Sequence, residues 1–191
     1  WKGGPAHVLV DAELAELSAM PRGGMRLRFT TNHDETAWDQ PAVTLFSGPA
    51  GARAAFVAMT LLPGRPLVYN GQEVESPQVL RLFERDPVAW DLPGADEARA
   101  FYRRVLDLVR GHPALAGADL EAVPTSAPDE VISYRRGNVV VLVNARPHEV
   151  RVTVPRLVEG PFHDLLSGRS GLEGPFTLPA FGALVLAGPP P

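Results

Sequence analysis

Asn32, His33 and Asp34 stand in a row, and Trp38 follows four residues later. A carboxylate beside an imidazole, with an indole nearby, suits a polyhydroxylated ligand. Aspartate accepts hydroxyl hydrogens, histidine can donate one, and an aromatic face can lie on a sugar ring. A plainer reading exists: Asn32 and Asp34 cap a loop, and His33 is a satisfied interior side chain. The three residues alone leave both readings open. Further along, Tyr69 to Glu73 reads YNGQE, where Glu73 is expected to tie neighbouring loops together. His7, His112, His148 and His163 fall in helix exits and turns, without the spacing of a metal site.

Those residues need elements to hold them. Met25 to Thr31 reads as a strand, Leu27 and Phe29 alternating with Arg26 and Arg28, and it delivers Asn32 to Asp34 at its C-terminal end. Asp11 to Ala19 has helical apolar spacing, with Asp11 as N-cap and Pro21 as stop. After the polar loop comes an Ala-rich helix from Gly51 to Leu62, then a compact strand from Pro66 to Tyr69 and the turn Asn70-Gly71. Ala95 to Arg110 carries an apolar stripe of Ala98, Phe101, Tyr102, Val105, Leu108 and Val109, closed by Gly111-His112-Pro113. Beyond Gly117 the pattern changes to short strands: Val131 to Arg135, Val139 to Asn144, Val150 to Val154, His163 to Leu166, Phe176 to Leu178 and Ala183 to Leu186. Arg136-Gly137-Asn138 is a hairpin signal in which the glycine takes a positive φ. Strand and helix alternating, then strands alone, spell an α/β layer joined to a small antiparallel β domain. The division falls at residue 115, giving segments 1–115 and 116–191. The Gly188 to Pro191 end reads as a frayed tail.

Composition excludes several functions. The chain has 191 residues, 45% of them hydrophobic, enough for a real core. Its 22 acidic against 18 basic residues leave a net charge of −4, which argues against a grip on nucleic-acid phosphates. Without cysteine there is no disulfide, thiol catalysis or thiolate-bound zinc, while the compartment stays open. No apolar run approaches the roughly 20 residues of a membrane span. Lys2 is the only lysine, a skew towards arginine that codon bias explains as well as chemistry does. Trp1 stands where a ribosome would place methionine, so the sequence reads as cut from something longer.

Five stretches, in order, carry a resemblance. Arg28 to Asp39 resembles the fourth motif of the α-amylase family of glycoside hydrolases, an aromatic-led strand ending in Asn-His-Asp. Leu62 to Glu73 is similar to that family's eighth barrel strand and its Gly-Gln-Glu turn, and Arg81 to Trp90 to a connector of bacterial members. Phe101 to Leu115 resembles the final barrel helix and its exit, and Val131 to Leu186 the C-terminal β-sandwich. The resemblance implies the last two strands of a (β/α)8 barrel with their helices, followed by the sandwich. It implies that Asp34 stabilises an oxocarbenium-like transition state and that His33 bonds sugar hydroxyls. Asn32 would position the loop, and Trp38 would either line a neighbouring subsite or serve packing. The implied substrate class is α-1,4-glucans, starch and maltooligosaccharides.

Retaining glycoside hydrolysis needs a nucleophilic carboxylate and an acid/base carboxyl about 5–5.5 Å apart. In the family these come from the fourth and fifth strands, the nucleophile within Gly-x-Arg-x-Asp, and nothing in this chain matches that pattern. Asp34 and Glu73 would sit at adjacent strand ends, but neither has the context of such a pair. The chain by itself is therefore expected to be inactive, and a barrel remnant is expected to be covered by the missing N-terminal portion as another chain or by self-association. The resemblance implies no cofactor held here; any calcium of a parent enzyme would take its ligands upstream. Neither nucleic acid nor membrane is expected as a partner. A polymer-degrading parent suits a secreted or periplasmic site, an oligosaccharide-acting one the cytoplasm. The alternative function is a non-catalytic protein whose β domain binds carbohydrate or a partner. Against it, Tyr134, Phe162, Phe176 and Phe181 suit core positions better than an exposed sugar platform.

Overall fold

A computed structural model describes residues 1, 3–81, 83–155, 157 and 160–188. Leu82 of the connector motif and Pro189 to Pro191 of the tail lie outside the described residues. The first helix, α1 (Val8–Ala19), begins three residues before the expected Asp11. Its start is set from a distance: the Ala6 and His7 amides donate to Asp129 and Pro128 carbonyls of the β domain, at 3.0 and 2.9 Å. Asp11 therefore lies in the first turn, where its charge meets the positive end of the helix dipole, and His7 is the cap residue. Met20 is extended because Pro21 follows it, which ends the helix.

Strands β1 (Leu27–Arg28) and β2 (Arg65–Pro66) pair in parallel, Leu27 opposite Arg65 and Arg28 opposite Pro66. Both are shorter than the sequence pattern, because strand length is set by partners and each has one neighbour among the described residues. The Arg65 and Leu67 amides donate to the Arg26 and Arg28 carbonyls at 2.8 and 2.7 Å. Pro66, which has no amide hydrogen, therefore falls where the ladder asks for none. Between these strands run α2 (His33–Trp38), α3 (Ala42–Leu45) and α4 (Pro49–Thr60). Gly48, at φ 100°, and Pro49 open α4. Eight of its twelve residues are buried. Gly51 is required there, since an added Cβ would lie 1.6 Å from the Phe46 carbonyl oxygen. After a connector, α5 (Ala95–Gly111) buries Ala95, Ala98, Tyr102 and Val105 at helical spacing.

The β half forms a five-stranded antiparallel sheet and a strand pair. The sheet runs β3 (Glu121–Ala122), β4 (Val131–Arg136), β5 (Val139–Asn144), β9 (Ala183–Ala187), β7 (His163–Asp164). The pair is β6 (Val150–Val152) with β8 (Phe176–Leu178). Gly137 takes the expected positive φ, 55°, between β4 and β5. All six residues of β5 are buried, which explains its unbroken apolar run. Val139, Val141 and Val143 pack with Phe56, Leu61, Tyr102 and Val105 of the helical layer. Val140 and Leu142 pack with Val150, Val152, Phe176 and Leu178 of the strand pair. The molecule is thus α/β followed by all-β: the C-terminal part of a barrel laid on a small β-sandwich.

The two halves are joined by polar bonds as well as apolar ones. On β4, the fully buried Tyr134 hydroxyl donates to the Ala58 carbonyl at 2.9 Å. Arg136, also buried, donates to the Leu61 and Leu115 carbonyls at 2.8 and 3.0 Å and to that of Gly117. Ala58 and Leu61 lie at the C-terminal end of α4, where helix carbonyls lack intrahelical partners. The guanidinium also meets the negative end of the helix dipole there. Burial pushes the Arg136 pKa down from its ordinary value.

Candidate functional site

The polar loop after β1 contains a helix that the sequence pattern did not announce. Asn32 is extended and caps it, its side-chain oxygen accepting the Asp34 and Glu35 amides, both at 2.9 Å. Beneath the cap, the buried Thr31 and Thr36 hydroxyls bond each other at 2.7 Å. The short helix α2 therefore leaves β1 as a closed turn with a fixed first residue. His33 and Asp34 occupy its first two positions and point outward, their side chains 76% and 66% exposed. The His33 Nε2 lies 3.4 Å from Asp34 Oδ1. Trp38, at the last position of α2, is 75% exposed. His33 is thus not the satisfied interior residue of the plainer reading, although Asn32 does cap.

The end of β2 lies alongside. Gly71, at φ 93°, starts a single 3-10 turn over Gln72–Val74. Gln72 is buried and ties the two strand ends: its amide nitrogen donates to the Thr30 hydroxyl at 2.7 Å, and its oxygen accepts the Tyr69 amide at 3.3 Å. Glu73, expected as the tie, instead accepts the amide of Gly71 at 2.9 Å, a bond within its own turn. The longer link belongs to Glu75, whose carboxylate takes two N–H groups of Arg53 on α4, at 2.6 and 3.1 Å. Arg53 also reaches Glu97 on α5 at 2.6 Å, and the paired carboxylates hold its pKa above the ordinary value. Close by, burial raises the pKa of the Tyr102 hydroxyl.

A cavity of about 30 Å³ lies under this arrangement, lined by Thr31, Thr36, Tyr69 and Gln72 among others, and it does not reach His33 or Asp34. The two chemical side chains stand on open surface at the C-terminal end of a parallel strand, the end where barrel active sites collect. An exposed carboxylate and imidazole side by side can exchange hydrogen bonds with ligand hydroxyls. The Glu73 carboxylate is engaged by the Gly71 amide of its own turn. Sequence reasoning missed Gln72, Thr30 and the Thr31–Thr36 pair. The Gly-Gln-Glu turn was visible, but which of its polar residues faced inward was not.

The remaining histidines are dispersed: His7 lies 3.3 Å from Asp129, His148 bonds Glu130 at 2.7 Å, and His163 bonds Ser170 at 2.8 Å. Tyr134, Phe162 and Phe176 are buried, and Phe181 is half-buried.

No protein-family model matches the chain. It is 32% identical over 178 residues to α-amylase MalA of Haloarcula japonica, an alignment covering 87% of this chain and 25% of that protein. Among solved structures it resembles the noncanonic maltogenic α-amylase AmyB of Thermotoga neapolitana, with a TM-score of 0.74 at 20% identity, covering 96% of this chain and 46% of that one. It also resembles an α-amylase of Lactobacillus plantarum, with a TM-score of 0.70 at 20% identity, covering 95% and 42%. The chain spans about a quarter of the length of the curated relative it matches, and less than half of these solved chains.

Proposed function

We propose that this chain, an α-amylase-family sequence by its likeness along nearly its whole length, supplies part of the sugar-binding site of a retaining glycoside hydrolase. Its substrates in this reading are α-1,4-glucans, starch and maltooligosaccharides. Residues 1–115 form the barrel part and 116–191 the C-terminal sandwich. The observation that carries the reading is the Asn32-capped turn, which presents His33 and Asp34 outward at the C-terminal end of a parallel strand. Asp34 holds sugar hydroxyls and stabilises positive charge developing at the anomeric carbon. His33 bonds hydroxyls next to the scissile bond, Asn32 positions both, and Trp38 lines a neighbouring subsite.

The nucleophile and the acid/base carboxyl must come from elsewhere. Met25, Leu27 and Phe83 are 60%, 56% and 97% exposed, and β1 and β2 each have an edge without a partner among the described residues. Apolar faces and open edges of this kind fit coverage by the missing barrel portion, as another chain or by self-association. The non-catalytic alternative has less support, because Tyr134, Phe162 and Phe176 are buried in the sandwich.

The test is a reducing-sugar assay on starch and maltoheptaose with the purified 191-residue chain, alone and with the Asp34→Asn variant. The expected result is no release by either. Release that disappears in the variant would overturn the fragment reading. In a longer protein that carries this chain and is active, Asp34→Asn is expected to abolish hydrolysis while leaving the fold unchanged.

A further inference from the structure

A cleft of about 450 Å³ opens between α4, α5 and the edge of the sandwich, away from His33 and Asp34. Its size is that of small-ligand sites, which favour the seams between structural units. Half-buried Phe101 and Phe181 form part of its wall. Two exposed arginines line it and rest on one turn. Arg104 of α5 donates Nη1 to the Leu166 carbonyl at 2.9 Å, and Arg169 donates Nε to the Ser167 hydroxyl at 3.3 Å. Neighbouring residues of a tight turn thus anchor both guanidiniums, and each keeps further N–H groups free of any protein acceptor among the described residues. A third, Arg151, sits directly across the β6–β8 ladder from Thr177, which lines the cleft, so the two side chains share a face.

Among the described residues no carboxylate lies within ion-pair distance of Arg104, Arg151 or Arg169. Arg53, also in the lining, is paired with Glu75 and Glu97. The one carboxylate in the lining, Asp164, is 1% exposed and holds the turn itself, accepting the amides of Leu166, Ser167 and Val185 and the Ser167 hydroxyl. It has no free lone pair with which to bind a guanidinium. Arg104 and Arg169 thus stand in the lining without a carboxylate partner, beside aromatic surface and one carboxylate that is already engaged.

We infer that this cleft binds a small organic anion, its carboxylate or phosphate oxygens held by Arg104 and Arg169 and its carbon body against Phe101 and Phe181. Guanidinium forks bind both oxyanions in two-point fashion. The inference is independent of the glucan reading, since neither Asp34 nor His33 takes part. It is tested by titrating the full chain with phenyl phosphate, benzoate and, as the neutral control, benzyl alcohol, following amide NMR shifts. The expected result is saturable binding of an anion, weakened by added salt and about tenfold or more by R104Q combined with R169Q. Tighter binding of phenyl phosphate would assign a phosphate ligand, and tighter binding of benzoate a carboxylate. Both substituted side chains are exposed, so circular dichroism should be unchanged. No saturation by either anion at about 10 mM, equal binding by the double variant, or equal binding of benzyl alcohol would overturn the inference.

Discussion

Arg136→Met isolates what holds the helical layer on the sandwich. The guanidinium serves three carbonyls, those of Leu61, Leu115 and Gly117. Methionine fills similar volume and leaves no stranded charge, so the cost is that of the orphaned acceptors. Gly117 lies at an exposed position, where water can replace the lost donor. Leu61 and Leu115 are buried, and each unpaired buried carbonyl costs about 1–3 kcal/mol. Their sum centres on about 4 kcal/mol, a large part of the roughly 5–15 kcal/mol that holds a domain folded. For a chain of this size that lowers Tm by roughly 8–16 °C. Tyr134→Phe provides an internal scale. It removes one bond, to the Ala58 carbonyl, and should cost about 1–3 kcal/mol with almost no change of shape. Urea unfolding followed by circular dichroism measures both. If Arg136→Met came within about 1 kcal/mol of the unaltered chain, the capping of α4 from β4 would be an incidental contact and the reasoning wrong.

Three further outcomes are expected. Glu13→Gln strands the Arg28 guanidinium, 3% exposed and otherwise paired at 2.7 and 2.5 Å, and should destabilise by roughly 3–5 kcal/mol in the same unfolding measurement. Asn32→Ala removes the acceptor of two amides at the start of α2 and should cost about 1 kcal/mol; faster hydrogen exchange at Asp34 and Glu35 than elsewhere in the chain would mark the loss as local. Gly51→Ala places a Cβ 1.6 Å from a backbone oxygen, so α4 and the Phe46 turn must separate. A cost of about 1–3 kcal/mol or more is expected, and a neutral result would refute the close approach.

Much was legible from local pattern. The α5 stripe, the Gly137 hairpin and the change from mixed elements to strands alone all follow from periodicity and turn chemistry, which act over a few residues. The order of motifs pointed to the family, and the curated relative and the folds of the solved neighbours agree with it. Local pattern failed where a distant partner decided. Local pattern starts α1 at Asp11, whereas the helix is capped at His7, where Pro128 and Asp129 supply acceptors for the His7 and Ala6 amides. Pattern alone also makes the strands before and after α4 longer than they are, because pairing needs a neighbour and the described residues give each only one.

At the candidate site the same division holds. Residue types determined what chemistry Asn32, His33 and Asp34 could offer, and asparagine's preference for helix starts made a cap readable. Only the tertiary structure decided that His33 and Asp34 face solvent rather than the core, because burial depends on what packs over a turn. It also decided that Gln72, and not Glu73, ties the two strand ends. A buried amide can satisfy both its donor and its acceptor on neighbouring loops, whereas a carboxylate there could only accept. That choice is made by geometry between chain positions 42 residues apart, which no local spacing records.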